Sequence, residues 1–91
     1  AEDHANAKLL ARGLAQVPGI VVEEPETNLV FFDTTGTGIT AWDLNQLTLQ
    51  HGVGFSVNQT WRGRACTHLD VSAAQIEEAV AVIRAAVSRG A

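Results

Sequence analysis

Residues 63–72, with the sequence GRACTHLDVS, gather the side chains of this chain that are best suited to chemistry. Side chains alternate between the two faces of a strand, so Arg64, Cys66 and His68 are predicted to share one face. The intervening residues Ala65, Thr67 and Leu69 fall on the other face, which we interpret as core because Ala65 and Leu69 are apolar. The first face is therefore predicted to be a working surface, on which a rigid strand holds an arginine.

No catalytic constellation accompanies that arginine in the sequence. His4, His51 and His68 fall on different predicted elements without the spacing of metal ligands. The sequence contains no G-x-S-x-G nucleophile motif, no phosphate-binding loop and no dinucleotide fingerprint. We therefore assign no catalytic, cofactor-binding or metal-binding residue to this chain. On the residues alone, an ion pair between Arg64 and a surface acid such as Asp70 is the alternative to a binding role.

Composition and charge restrict the classes of function. The 91 residues are 46% hydrophobic and 18% charged, which indicates one globular domain with a small core. A formal net charge of -4 without a basic run argues against nucleic acid or an anionic membrane as a partner. No apolar stretch approaches the roughly 20 residues that span a bilayer. The single cysteine, Cys66, is compatible with a reducing compartment, so we expect a cytoplasmic location.

The sequence contains no methionine and begins inside a predicted helix. We therefore expect residues 1–91 to be either a processed product or one domain of a longer chain, and we favour the second interpretation.

The hydrophobic pattern predicts the element order helix, strand, strand, helix, strand, strand, helix (αββαββα). Apolar stripes at helical spacing and the capping boxes Thr40–Asp43 and Ser72–Gln75 indicate the helices, and Gly52 is the predicted end of the second helix. The NLVFFD segment at 28–33, apolar on both faces, indicates an interior strand. The predicted elements are helices at 3–16, about 41–51 and from 73 onward, strands at 20–23, 28–33, 53–58 and 64–69, and a loop at 34–38. A hairpin with Trp61 near its tip joins the third and fourth strands.

This order predicts an α+β fold, a small and mainly antiparallel sheet with helices on one face. The uncovered face would carry small and polar residues, namely Gly54, Ser56, Asn58, Arg64 and His68, which suits contact with a ligand or another domain. The second helix also has two apolar sides, because Trp42 and Leu49 lie nearly opposite Leu44 and Leu47. One side is expected to pack on the sheet and the other to lack a partner within the domain; the alternative is an exposed Trp42 on a tolerant surface.

Several sequence blocks, taken in order, resemble the C-terminal domain of the low-specificity L-threonine aldolases. The matching blocks of this chain are EDHANAK at 2–8, PGI at 18–20, ETN at 26–28, VFF at 30–32 and RACTHLDVS at 64–72. The aldolases are pyridoxal phosphate (PLP) enzymes of the aspartate-aminotransferase fold (fold type I), grouped with the β-eliminating lyases. The resemblance implies a C-terminal small domain, in an enzyme that cleaves β-hydroxy-α-amino acids to glycine and an aldehyde.

The resemblance also implies a role for Arg64, which would hold the α-carboxylate of the amino-acid substrate. The cofactor would be bound by a large domain of the same polypeptide, whose Schiff-base lysine is absent here, since Lys8 lies in a different context. The 91 residues alone are therefore expected to be inactive. The same resemblance favours a cytoplasmic homo-oligomer that works in amino-acid metabolism.

The sequence also suggests roles for three further residues near this predicted site. His68 is expected to support the site by hydrogen bonding, and Asn28 could brace a nearby loop or serve only as a strand entry. Trp61 could face substrate, a neighbouring subunit or the core. Two other functions stay open for the chain, a free-standing module that binds a small amino acid and a dimerisation domain.

Overall fold

The computed structural model describes residues 2–25, 29–66 and 72–90. Its helices are α1 (Glu2–Ala15), α2 (Ala41–Leu49) and α3 (Ala73–Gly90). Its strands are β1 (Val21–Val22), β2 (Leu29–Asp33), β3 (Ser56–Gln59) and β4 (Arg62–Cys66), and a 3₁₀ turn forms at Thr35–Thr37. The predicted α+β class and the order αββαββα are confirmed.

The four strands form one sheet in the order β1-β2-β4-β3, and every neighbouring pair is antiparallel. The NLVFFD segment supplies β2, an interior strand as its two apolar faces predicted. Burial alternates along it: Val30 and Phe32 are buried against the helices, while Leu29, Phe31 and Asp33 are half-buried on the other side. We call this second side the open face.

The core lies between the helices and the sheet. The predicted stripes of α1 (Ala7, Leu10, Leu14) and α3 (Ile76, Val80, Ile83, Val87) are all buried there. Phe32 and Phe55 meet edge to face, with ring centroids 5.0 Å apart. Their rings lie over Gly63 of β4, where no larger residue would leave room for them.

Both predicted capping boxes mark helix starts. At α3, the Ser72 backbone N–H donates to Oε1 of Gln75 (2.8 Å) and the Gln75 N–H donates to Oγ of Ser72 (3.1 Å). At α2, Oγ1 of Thr40 accepts from the backbone N–H of Asp43. Helix α2 ends in a Schellman motif: Gly52 has φ 80° and donates to the Leu49 carbonyl, and Val53 donates to that of Thr48.

Two local features differ from the sequence prediction. The segment predicted as a loop contains the 3₁₀ turn, and Thr34 is fully buried beside it with its hydroxyl donating to the Ile39 carbonyl (2.7 Å). The hairpin loop is also tighter than predicted. Strand β4 begins at Arg62, so only Thr60 and Trp61 connect it to β3.

Strand β3 is interrupted near that hairpin. Its register with β4 shifts between Val57 and Gln59, which makes Asn58 the extra residue of a β-bulge. The predicted alternation of burial still holds from Val53 to Asn58, although the strand covers Ser56–Gln59 rather than the predicted 53–58.

Among the described helices, none combines the length and apolar character needed to cross a lipid bilayer.

Candidate functional site

Arg64 lies in the middle of β4 with its side chain on the open face. Its register partners are Phe31 on β2 and Ser56 on β3, so both neighbouring strands flank it. The residue is exposed, and none of the described residues forms a hydrogen bond or an ion pair with its guanidinium. A planar guanidinium in this state can donate two parallel hydrogen bonds to an incoming carboxylate.

Arg62, two residues earlier on the same strand, has a guanidinium that is already paired. Its Nε donates to Oε2 of Glu23 (3.0 Å) and its Nη2 donates to Oε1 (3.1 Å), which makes a two-pronged ion pair. The same guanidinium stacks on the ring of Phe31, with Cζ 4.3 Å from the ring centroid. Arg62 is thus held by a carboxylate at its edge and by an aromatic ring at its face.

Glu23 reaches Arg62 because the chain continues as an edge strand beyond β1. The Glu23 backbone N–H donates to the Phe31 carbonyl (3.0 Å), one residue past the Val22–Phe32 pair. Alternation then places the Glu23 side chain on the open face together with Val21, whose side chain is 67% exposed. Glu23, Phe31 and Arg62 form what we call the clamp.

Asp33 provides a second carboxylate on this face. It is the register partner of Arg62, yet its Oδ1 accepts from the backbone N–H of Thr35 (2.8 Å). Hydrogen bonds from the side chain and then the backbone of Thr35 lower the pKa of Asp33. Asp33 is therefore held in its charged form by the 3₁₀ turn that follows it.

The PLP implied by the sequence resemblance does not fit the residues of this chain. Such a cofactor is held through a lysine amine, and the only lysine in the sequence is Lys8. Lys8 is exposed on α1, which packs on the opposite side of the sheet from Arg64. The lysine that holds PLP would therefore have to come from residues other than these 91.

Clefts on the helix side are separate from the open face. One of about 380 Å³ lies between α1 and α3, and its lining includes Arg12, Glu77 and Arg84. A second, of about 120 Å³, reaches into the core near Phe32 and Phe55.

The structure locates only some of the residues that the sequence analysis singled out. Arg64 is on the predicted face, opposite Ser56. His68, Asn28 and Asp70 lie outside the described residues, so their supporting roles stay predictions. Trp61 is half-buried at the hairpin tip, and its carbonyl accepts from the Thr34 backbone N–H (2.7 Å).

The other histidine and cysteine predictions can be followed only in part. His51 is exposed after α2, with Nε2 3.5 Å from Nη2 of Arg89. The side chains of His4 and Cys66 lie outside the description, and the described residues contain no cluster of metal-ligating side chains.

Sequence reasoning missed the clamp. Arg62 could have been found, because it precedes Arg64 by two residues and must share its face. Its pairing with Glu23, 39 residues away, has no local signal in the sequence.

No protein-family model and no curated protein sequence matches the chain. Solved structures do match it. The α-aminoadipate aminotransferase LysN from Thermus thermophilus, complexed with N-(5'-phosphopyridoxyl)-L-leucine, superposes with a TM-score of 0.73 at 18% identity, over 93% of this chain and 24% of that chain. MppP soaked with the product 2-ketoarginine gives a TM-score of 0.71 at 20% identity, over 93% of this chain and 26% of that chain.

A PLP-bound protein from Clostridium difficile 630, crystallized with magnesium formate, gives a TM-score of 0.72 at 20% identity, over 94% of this chain and 24% of that chain. At such identities these similarities show the fold alone. The chain spans about a quarter of the length of the solved structures it matches. The chain therefore has the fold of one part of these solved structures.

Proposed function

We propose that this chain is the C-terminal small domain of a PLP-dependent enzyme and that Arg64 binds the α-carboxylate of its amino-acid substrate. The proposed reaction is that of an L-threonine aldolase, a carbon-carbon lyase that splits β-hydroxy-α-amino acids such as threonine, allo-threonine or phenylserine into glycine and an aldehyde. The fold shared with part of PLP-containing proteins supports a PLP enzyme in general, and the sequence blocks that end in RACTHLDVS support the aldolase reaction.

The observation that carries the proposal is that Arg64 is available to bind a ligand. Its guanidinium is exposed on the open face and has no partner among the described residues, whereas Arg62 beside it is already paired. A strand inside a sheet holds the arginine backbone rigidly, so a bound carboxylate would be fixed in orientation as well as in position. Fixing the carboxylate limits the rotation of the substrate, and that is the contribution we assign to this domain.

The remaining parts of the proposal concern the complete enzyme. Residues outside this chain would bind PLP in a large domain, and the open face would close one side of the substrate site. We propose that the enzyme is a cytoplasmic homo-oligomer, and we expect the 91-residue chain to have no aldolase activity alone because Lys8 cannot take the place of the cofactor lysine.

The reaction class can be tested by product analysis. The complete PLP-loaded enzyme is incubated in turn with threonine, allo-threonine and phenylserine, and glycine, aldehyde and 2-oxo acid are measured. The proposal predicts glycine and aldehyde in equal amounts. Formation of a 2-oxo acid without glycine would contradict an aldolase. It would indicate β-elimination if ammonia is released with it, or an aminotransferase if it forms only when a second 2-oxo acid is added to accept the amino group.

A second candidate function is self-association through α2. Trp42 is 59% exposed and Leu49 is 49% exposed, on the side of the helix that the sequence predicted to lack a partner within the domain. Sedimentation velocity of the 91-residue chain at increasing concentration tests this candidate. Self-association that Trp42→Ser abolishes would support a dimerisation surface, and a constant monomer would reject it for this chain alone.

A further inference from the structure

We infer that Glu23 sets the substrate class of the Arg64 site, by occupying Arg62 and so restricting the open face to ligands with a single carboxylate. The inference rests on the proposed carboxylate role of Arg64 and adds to it the exclusion of dicarboxylic amino acids. It assigns Glu23 as a specificity-determining residue.

The spacing of the two arginines would otherwise favour a dicarboxylate. Residues two apart on a strand lie about 6 to 7 Å apart and project to the same face. Two guanidinium groups at this spacing can bind the two ends of a short dicarboxylic acid, each through paired hydrogen bonds. Arg64 alone can bind only one end.

The clamp removes Arg62 from that role in two ways. Glu23 accepts hydrogen bonds from Nε and Nη2, which lie on the edge that a ligand carboxylate would use. Phe31 lies against the face of the same guanidinium, 4.3 Å from Cζ, and limits its reorientation toward a ligand. A second carboxylate would therefore have to displace Glu23 before it could bind.

The charges around the clamp also disfavour the binding of a second carboxylate. The Glu23 carboxylate stands where the second acid group of a ligand would bind, and the Asp33 carboxylate lies on the strand position opposite Arg62. Both repel a second acid group, whereas the register neighbours of Arg64, Phe31 and Ser56, are uncharged. Specificity built from such repulsion discriminates between ligands without requiring tight binding of the preferred one.

The ion pair is exposed, which makes it a suitable target for substitution. The side chains of Arg62 and Glu23 are 32% and 56% accessible. Exposed pairs contribute little to folding stability, so Glu23→Gln is expected to fold like the wild type. Glu24→Gln is the matched control, because it removes the same charge from the adjacent residue, which is exposed and has no partner among the described residues.

The test is a titration of the 91-residue chain, followed through the Nε–Hε resonances of Arg62 and Arg64 by NMR. The probes are pentanoate and glutarate, which have the same chain length and carry one and two carboxylates. In the wild type and in Glu24→Gln, pentanoate should shift the Arg64 resonance, and glutarate should bind more weakly than pentanoate because Glu23 and Asp33 repel its second carboxylate. In Glu23→Gln, glutarate should bind about fivefold more tightly than pentanoate and should also shift Arg62.

Each result decides one part of the account. The inference is overturned if Glu24→Gln increases the affinity for glutarate as much as Glu23→Gln does. It is also overturned if Glu23→Gln does not increase that affinity while Arg64 still responds to pentanoate. Neither result contradicts the role of Arg64. An Arg64 resonance that responds to neither probe overturns the proposed function. Arg62→Gln provides a second variant: glutarate should gain no preference over pentanoate in it, and none should appear when Glu23→Gln is added, because no second arginine is left to bind the other carboxylate.

Discussion

Gly63 lies directly beneath the ring of Phe32: a Cβ placed on this glycine would be 2.6 Å from Cζ of the ring. The same Cβ would be 2.9 Å from Cδ1 of Phe55. The glycine between Arg62 and Arg64 therefore lets two aromatic rings pack against the strand that carries both arginines. The position of the candidate site depends on this close contact.

Gly63→Ala should accordingly destabilise the domain by about 1–3 kcal/mol, the usual cost of overpacking a well-packed core. Urea denaturation measures the change. A second substitution, Phe55→Leu, removes part of the ring that crowds the new methyl group, so the effects of the two changes should be less than additive. An unchanged denaturation midpoint for Gly63→Ala would mean that the rings do not rest on this strand.

Thr34→Val should destabilise the domain by about 1–3 kcal/mol, because it removes a buried hydroxyl that donates to the Ile39 carbonyl while keeping the shape of the side chain. Thr60→Val is the control, since that side chain is exposed at the hairpin and should change stability by less than about 0.5 kcal/mol. Equal effects of the two substitutions in thermal or urea unfolding would argue against a stabilising role for the Thr34 hydroxyl.

Ser72→Ala should lower the free energy of unfolding by about 0.5–2 kcal/mol, because it removes the Ser72 hydroxyl that accepts a hydrogen bond from the Gln75 backbone N–H at the start of α3. Ser88→Ala, an exposed position late in the same helix, should change little. Circular dichroism during urea unfolding compares the two, and the prediction fails if the substitution at Ser88 is the more costly.

Local signals in the sequence predicted the parts of the fold that depend on neighbouring residues. The Ser72–Gln75 box, the Gly52 helix end and the interior position of the strand through Phe32 follow from spacing within a few residues. Alternation alone placed Arg64 on the face away from the helices.

Features formed by residues distant in sequence could not be predicted in this way. The Glu23–Arg62 pair and the hydrogen bond from the Thr34 backbone to Trp61 join segments whose proximity is set by the strand order. The bulge at Asn58 likewise follows from how β3 meets β4. The hydrogen bond from the Phe55 backbone N–H to Oδ1 of Asn45 joins the residue before β3 to α2. The clamp was missed for this reason.

The contribution of Asp33 to stability should fall in acid. Hydrogen bonds from Thr35 lower the pKa of this carboxyl in the folded state, so the folded chain binds the proton less readily than the unfolded chain does. The stabilisation is complete above the pKa of Asp33 in the unfolded chain, about 4, and is lost as the pH falls through its lower pKa in the folded chain. The difference in unfolding free energy between the wild type and Asp33→Asn should therefore shrink below about pH 4. A difference that stays constant between pH 7 and pH 3 would contradict the assignment.

The central claim, that Arg64 holds the substrate carboxylate, is tested most directly by steady-state kinetics of Arg64→Ala in the complete PLP-loaded enzyme. Arg84→Ala, which removes an exposed arginine on the helix side, is the control. We predict that Arg64→Ala keeps the absorbance of bound cofactor and loses about 10- to 100-fold in kcat/KM, as expected for charge-assisted hydrogen bonds, while Arg84→Ala retains both. Wild-type kcat/KM in Arg64→Ala would contradict the carboxylate role.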